Sequence, residues 1–259
     1  MKKILYYLLA FSIITISCNN SAEYKKIKKD FADVEFIYDT LKLDSFLQKI
    51  PDYGIIVKTI KTENLKYNQQ ILLNPNTADE YLNSKETAFA AGLFTADLGY
   101  VRYFQRVQEC MDFMYSLRIL AEKLAISDKN FDELVPAIER NLYNKDSIFI
   151  ITDSAFNLGK KLFNDRERYG IAALFASGIW IETLYLGLNS TADKNINDTV
   201  LINHFEILKI INNTLSALKD DDIIKKIKKD FNLIENKGYN NPELKKDISS
   251  IRLKYLKSL

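Results

Sequence analysis

Turn-forming and metal-binding residues are scarce in this chain of 259 residues. It contains 8 glycines and 4 prolines, where average usage predicts about 18 and about 13. Few turn formers favour long helices over many short strands. The 2 cysteines and the single histidine exclude a disulfide scaffold, a zinc finger and any multi-histidine metal site. Neither a glycine-rich phosphate loop nor a serine–histidine–aspartate constellation can be assembled from the sequence.

The lone histidine and the second cysteine are weak candidates for chemistry. His204 has no cysteine or histidine at metal-ligand spacing, so a structurally satisfied or an exposed histidine is expected. Cys110 lies in an apolar run with helical spacing, which is typical of a buried and unreactive thiol. The sequence therefore predicts no metal and no other cofactor.

The overall composition is that of a globular protein. Apolar residues make up 47% and charged residues 27% of the chain, which is too apolar for intrinsic disorder. The length suits one medium domain, or two small ones, once any targeting segment is removed.

The N-terminus has the pattern of a bacterial export signal. Lys2 and Lys3 precede residues 4–17, which carry no charge. A membrane-spanning helix needs about 20 apolar residues, so this shorter stretch has the length of a signal-peptide core. It ends at Ser17-Cys18, and a cysteine behind a small residue at this place resembles the lipoprotein signal, in which the chain is cut before a lipidated cysteine. We therefore expect a signal peptide over residues 1–17 and a membrane anchor on Cys18.

Two alternatives for the N-terminus are an ordinary secretory signal and an uncleaved anchor, each with an incidental cysteine. No good small-x-small cleavage site lies nearby, which favours the lipoprotein signal. Removal of residues 1–17 takes away two lysines and leaves 34 basic and 34 acidic side chains. This balance gives no indication of a nucleic-acid partner.

Behind the signal, residues 18–40 are predicted to form a tether and residues 41–259 a single all-helical domain. Apolar periodicity and capping residues predict an all-α bundle or array of about eight or nine helices, and no run shows the period-two alternation of a strand. One lysine-rich heptapeptide occurs at 25–31 and again at 225–231. It can be a basic amphipathic segment that touches a membrane, although a solvated helix face is the commoner origin of such a run.

Two apolar helices are predicted to form the centre of this domain. Residues 88–103 and 169–188 align at an offset of 81 positions, which suggests a weak internal duplication of a helical unit. Each also carries small residues four positions apart, which let two helix backbones approach closely. These residues are Ala88, Gly92 and Ala96 in the first helix, and Ala172 with Ala176 and Ala173 with Ser177 in the second. We expect the two helices to pack against each other.

The second of these runs is twenty residues long, so a membrane span is an alternative. It contains Glu182, and it resembles the earlier run, which contains Asp97 and Arg102. Ionisable groups are costly inside a bilayer. We therefore interpret the second run as the buried core helix of a water-soluble domain.

Asp97 and Glu182 are the main candidate site residues. Both lie in largely apolar helices, and a buried carboxylate must be paired, hydrogen-bonded or protonated. They can line one pocket, as general acid and base or as polar anchors for a ligand. Alternatively, each is satisfied structurally by a basic side chain or a tyrosine hydroxyl. The candidate neighbours in the pocket or the buried polar cluster are Tyr100, Arg102, Tyr103, Trp180 and Tyr185.

Three stretches of the chain resemble a group of uncharacterised lipoproteins from Bacteroidetes. They are LLNPN at 72–76, GLFTADLGY at 92–100 and GIWIETLY at 178–185, and the similarity extends over about residues 47–190. Members of the group tend to carry G-x-Y-x-A-D-L-x-Y at the second stretch and G-G-W-I-E-x-L-Y at the third. This chain has Phe94 in place of the tyrosine and Ser177 in place of the first glycine.

The resemblance implies a helical protein of the cell envelope and implies no reaction. Asp97, Trp180 and Glu182 match its motifs. Surface-exported lipoproteins of these bacteria often have several acids soon after the cysteine, whereas residues 19–23 contain one. We therefore expect an outer-membrane anchor with the domain facing the periplasm.

The function expected from the sequence is non-enzymatic, because no catalytic constellation is found and aromatic side chains are abundant. The leading hypothesis is a binding or scaffold module of the envelope. The alternative is a small-molecule-binding or hydrolase-like site built on Asp97 and Glu182, which requires both carboxylates to face a pocket. A third interpretation, a structural partner of an envelope machine, requires a large exposed apolar patch.

Replacement of either acid by alanine is predicted to destabilise the protein. If the carboxyl groups are buried and hydrogen-bonded, Asp97→Ala and Glu182→Ala should each lower the free energy of unfolding by about 1–3 kcal/mol. Thermal melting of the two variants beside the unchanged chain measures this. Two unchanged melting temperatures would contradict it.

Overall fold

The computed structural model describes residues 54–125, 133–141, 144, 146, 147, 150–152, 154, 169–190 and 196–258. The predicted signal peptide, Cys18, the tether and the first residues of the predicted domain lie outside this described part. Within it the chain forms helices and no strand, which confirms the predicted all-α class.

Eight α-helices follow one another in the described residues, in agreement with the eight or nine predicted. They are α1 (Gly54–Glu63), α2 (Ser84–Tyr103), α3 (Val107–Lys123), α4 (Leu134–Arg140), α5 (Tyr169–Ser190), α6 (Asp198–Ser216), α7 (Asp222–Lys237) and α8 (Leu244–Ser258). Two 3-10 helices, Gln69–Ile71 and Pro75–Glu80, lie between α1 and α2.

Short polar side chains fix where several of these helices begin. Asn83 accepts hydrogen bonds from two backbone N–H groups in the first turn of α2, and Asp221 does the same for α7. Asn197 accepts one from the first turn of α6. Such caps satisfy donors that have no partner inside the helix. At the other end of α7, Gly238 has a φ of 76°, a conformation that favours glycine and ends the helix.

Helices α2 and α5 form the centre of the fold, as predicted, and they touch through two glycines. A Cβ atom added at Gly92 would lie 2.1 Å from the carbonyl oxygen of Phe175, and one added at Gly178 would lie 2.0 Å from that of Phe89. The backbones are therefore in direct contact. Gly92 belongs to the predicted ridge of small residues. On α5 the contact is made by Gly178, one position after Ser177, which was expected to lie on the contact ridge. The face of α5 that meets α2 is therefore rotated from the expected one.

The other helices pack around this pair. Helices α1 and α3 contact α2, while α1, α6 and α8 contact α5. Trp180 of α5 is fully buried. Its ring packs 5.1 Å from that of Phe231 on α7, and its Nε1–H donates to the carbonyl oxygen of His204 on α6 at 2.8 Å. The aromatic ring thus joins three helices.

Helix α5 is the single helix among the described residues that is long and apolar enough to cross a membrane. The stretch Gly170–Ser190 passes that test, and 83% of its most apolar 18 residues are buried inside the fold. Because other helices cover it on several sides, α5 packs as the core helix expected from the sequence.

The glycine contact predicts that Gly92→Ala or Gly178→Ala disrupts the centre of the fold. Each new methyl group would overlap backbone atoms that cannot rotate away, so we expect a loss of at least about 3 kcal/mol, at the upper end of the usual cost of overpacking. Urea unfolding of the variants measures this loss.

Gly187→Ala is the matched control, because Gly187 also lies within α5. A Cβ atom there would meet two side-chain methyl groups, of Ile196 and Thr59, at 3.1 and 3.2 Å. These can shift, and alanine also favours the helix, so the free energy of unfolding should change by less than about 1 kcal/mol. Equal losses at positions 92, 178 and 187 would contradict the proposed contact.

Candidate functional site

The centre of the candidate site is an ion pair between Glu182 and Arg252. Arg252 of α8 donates from Nε to Oε2 of Glu182 at 2.6 Å and from Nη2 to Oε1 at 2.8 Å. The side chain of Glu182 has no exposed surface and that of Arg252 is 10% exposed. Two parallel hydrogen bonds of this kind are the strongest geometry available to an arginine–carboxylate pair. The pair ties α8 to the central helix α5.

Two further contacts hold the Arg252 guanidinium group in place. It lies over the ring of Tyr185 on α5, 4.0 Å from the ring centroid. Nη2 also donates to the carbonyl oxygen of Ile71 at 3.3 Å. Arg252 therefore contacts α5 and also the segment that leads from α1 to α2.

Asp97 of α2 lies beside this pair and is fully buried. Its Oδ2 accepts a hydrogen bond from the backbone N–H of Leu73 at 2.9 Å. Its carboxyl group is also within hydrogen-bonding reach of Glu182. The structure thus brings together the two acids that the sequence singled out, with Tyr185 beside them.

The surroundings favour the neutral form of Asp97. Burial is the main cause that raises the pKa of Asp97 well above its ordinary value, and the nearby charge of Glu182 adds to it, against the opposing charge of Arg252. Burial acts to lower the pKa of Arg252, but the attraction of Glu182 and Asp97 outweighs it, and the net direction is upward. The guanidinium group therefore stays charged.

The remaining candidate residues, Tyr100, Arg102, Tyr103 and Trp180, are not among the hydrogen-bond partners that the structure gives to Asp97, Glu182 and Arg252. The Tyr100 hydroxyl donates to the carbonyl oxygen of Lys66 and accepts from the backbone N–H of Asn68, both at 2.9 Å. Trp180 is directed toward α6 and α7 instead. Arg102 is partly exposed, and Tyr103 packs against the ring of Phe104 at 5.2 Å. The cation that Glu182 binds is Arg252, and not the expected Arg102.

Arg252 is a site residue that was not predicted from the sequence. The partners expected for the two acids came from the same two helices, whereas Arg252 lies 70 positions beyond Glu182 in a different helix. One feature of the sequence pointed to Arg252. Arg252 is the single arginine of α8, whose other basic residues are lysines. Arginine is the usual cation in buried carboxylate pairs because its planar group donates two hydrogen bonds at once.

Cys110 and His204, the two weak candidates for chemistry in the sequence, are both buried. Cys110 is a buried free thiol, and burial raises its pKa to about 12. His204 is buried with its Nε2 3.1 Å from the Thr59 hydroxyl, and burial lowers its pKa to about 4. In the described part of the chain no three His, Cys, Asp or Glu side chains are grouped to hold a metal ion.

No protein-family model, no curated protein and no solved structure matches this chain. Its function is therefore inferred from its own residues and their geometry.

Removal of the cation from the buried pair is predicted to be costly. Arg252→Met leaves Glu182 buried without its partner, which costs about 3–5 kcal/mol in comparable pairs. The measurement is the free energy of unfolding from urea titrations.

Arg118→Met provides the matched control on α3. Arg118 Nε lies 2.9 Å from Oε1 of Glu122, but the two side chains are 34% and 49% exposed. An exposed pair of this type contributes less than about 0.5 kcal/mol. If the two methionine variants lose the same stability, the buried pair does not have the importance assigned to it.

Proposed function

We propose that this chain is a lipid-anchored protein of the bacterial cell envelope whose helical domain acts as a non-enzymatic binding or scaffold module. In this proposal Cys18 carries the lipid, the anchor lies in the outer membrane, and the domain faces the periplasm. The lysines at the N-terminus, the uncharged stretch and Ser17-Cys18 support the anchor. The resemblance to helical lipoproteins of Bacteroidetes supports the same location.

One observation carries the non-enzymatic half of the proposal: neither Asp97 nor Glu182 has exposed surface. A general acid or base must come within hydrogen-bonding distance of the proton that it transfers. Both oxygens of Glu182 bind Arg252, and one oxygen of Asp97 binds the backbone of Leu73. These contacts are those of groups that stabilise a fold.

The alternative, a small-molecule or hydrolase-like site on the same two acids, requires the cluster to open. Opening would separate Arg252 from Glu182 and leave charges without partners in an apolar interior, at a cost of several kcal/mol. The buried geometry therefore favours a binding or scaffold role that uses the outer surface of the bundle.

The outer surface offers apolar side chains to a partner on several elements. Among the described residues, the large apolar ones that are exposed are Leu82, Tyr115, Ile150, Ile202, Leu233 and Leu253. They are distributed over at least four helices and a connecting segment. Single exposed apolar residues are ordinary on soluble proteins, so these positions do not identify a partner.

The proposal predicts that Cys18 is acylated and that the lipid holds the protein on the membrane. Cells that express the chain with radiolabelled palmitate should incorporate label into the unchanged protein and not into Cys18→Ser. The Cys18→Ser variant should also leave the membrane fraction. Cys110→Ser is the matched control and should keep both label and location.

Two outcomes would contradict the proposal. Incorporation of label into Cys18→Ser, or unchanged retention of this variant in the membrane fraction, would contradict the lipid anchor on Cys18.

Native mass spectrometry of protein purified from the envelope tests the proposal that the domain is not an enzyme. A small molecule bound at one copy per chain, and absent from Glu182→Gln, would favour the alternative site.

A further inference from the structure

The buried cluster of Asp97, Glu182 and Arg252 contains more negative than positive groups when both acids are ionised. Arg252 supplies one positive charge, and its Nε and Nη2 donate to Glu182. The nearby Lys254 of α8 binds Asp230 instead. An uncompensated charge in a buried position is far more costly than a neutral, hydrogen-bonded group. One of the two acids therefore has reason to bind a proton.

The hydrogen bonds indicate which acid that is. Glu182 uses both oxygens as acceptors for Arg252, and this charge-assisted geometry favours the carboxylate. Asp97 uses Oδ2 as an acceptor for Leu73, while its Oδ1 receives no hydrogen bond from any of the described residues. A carboxylate oxygen with no donor is unfavourable, whereas a protonated oxygen becomes a donor and can use a neighbouring acceptor. The acceptor within reach is Glu182.

We propose that the folded domain binds one proton between Asp97 and Glu182, carried on Oδ1 of Asp97 and donated to the Glu182 carboxylate. The proton balances the charge of the cluster and gives Oδ1 a hydrogen-bonding role. This inference concerns the core alone and does not depend on the lipid anchor or on the proposed function.

The ionisable groups around the acids come from several elements. Helix α5 supplies Glu182 and Tyr185, α8 supplies Arg252, the segment before α2 supplies Tyr81, and α2 itself supplies Tyr100. Burial first, and then the charges of Glu182 and Glu80, raise the pKa of Tyr81 to about 12, and the pKa of Tyr100 is raised by burial first. Both tyrosines therefore stay neutral at least up to the ordinary tyrosine value of about 10.

Ionisable groups on the other packed helices bind elsewhere. Glu63 of α1 accepts from the backbone N–H of Asn197, Glu109 of α3 accepts from Tyr67, and His204 of α6 lies against Thr59. None of these contacts involves Asp97. The proton is thus assigned to the pair of acids and to no other neighbour.

The proton also affects the attachment of residues 71–73 to the core. Asp97 binds the N–H of Leu73, and Arg252 binds the carbonyl oxygen of Ile71. Loss of the proton would place two carboxylates side by side behind this segment. Their repulsion would weaken the cluster from which both backbone contacts arise.

The sign of the pH effect follows from the proton count. Unfolded Asp97 should titrate near the usual aspartate value of about 3.9, while folded Asp97 keeps its proton to a higher pH. Between those values the folded state binds one proton more than the unfolded state, so stability falls as pH rises. Below the lower value both states are protonated and the effect vanishes. Above the higher value the loss is complete.

Asp97→Asn tests the proposal because asparagine resembles the neutral acid. Its carbonyl oxygen can accept from Leu73 and its NH₂ group can donate to Glu182 without any titration. The measurement is the unfolding equilibrium constant of the full-length chain in detergent, from urea titrations between pH 5 and pH 9. The ratio of this constant in the unchanged protein to that in Asp97→Asn should rise by up to tenfold per pH unit until folded Asp97 titrates.

Glu182→Gln and infrared spectroscopy give a second test, which also applies if Asp97→Asn does not fold. At pH 7 the unchanged protein should show the carbonyl band of a protonated carboxylic acid, and Asp97→Asn should lack it. Glu182→Gln leaves Asp97 as the one acid beside Arg252, so Asp97 should ionise and the band should disappear.

Three results would overturn the proposal. One is a stability ratio that stays constant, or falls, from pH 5 to pH 9. Another is a spectrum of the unchanged protein at pH 7 without a protonated-acid band. The third is a band that persists unchanged in Glu182→Gln, since Glu182 would then not be the group that shares the proton.

Discussion

The contact between Gly92 and Gly178 is the constraint on which the rest of the structure depends. It lets α2 and α5 touch through their backbones, where any side chain would hold them apart. The contacts that follow the glycines advance together along both helices. Asp97 lies by Glu182, and the Tyr100 hydroxyl lies 3.2 Å from that of Ser190. The two helices therefore run in the same direction.

The two acids that follow the glycines lie close to each other between the same two helices. Asp97 is five positions after Gly92, and Glu182 is four positions after Gly178. A helix turn takes about 3.6 residues, so Glu182 lies about one turn beyond Gly178 on the same face of α5, whereas Asp97 lies about 1.4 turns beyond Gly92. The structure places the two carboxyl groups within hydrogen-bonding reach of each other. Two carboxyl groups therefore lie side by side in a buried position, where their mutual repulsion is costly. Arg252 and the backbone N–H of Leu73 supply most of the interactions that stabilise them. The cluster is therefore explained by the packing of the helices and does not by itself indicate a chemical function.

Much of this architecture could be predicted from the sequence because it depends on local signals. The caps Asn83, Asn197 and Asp221 act within one turn of the helix that each begins. The small residues of α2 and α5 predicted their contact, and the charged groups within apolar runs predicted burial. Arg252 could not be found in this way. Its contact with Glu182 spans 70 positions, and which face α8 turns toward α5 is decided by packing between helices.

The register of α5 shows what such a polar contact contributes to a core. This helix is apolar nearly all round and almost wholly buried, so apolar patterning alone does not select the face that meets each neighbour. Two features distinguish the faces of α5 from one another. Gly178 is the position on α5 that admits the backbone of α2, and Glu182 must meet Arg252 in a bidentate geometry that tolerates little rotation. A buried ion pair adds little stability compared with well-packed apolar residues. Here it fixes the rotation of α5 relative to α8, while the glycine contact fixes the rotation of α5 relative to α2. A helix held at both places presents Trp180 to α6 and α7, and this placement of the aromatic ring completes the core.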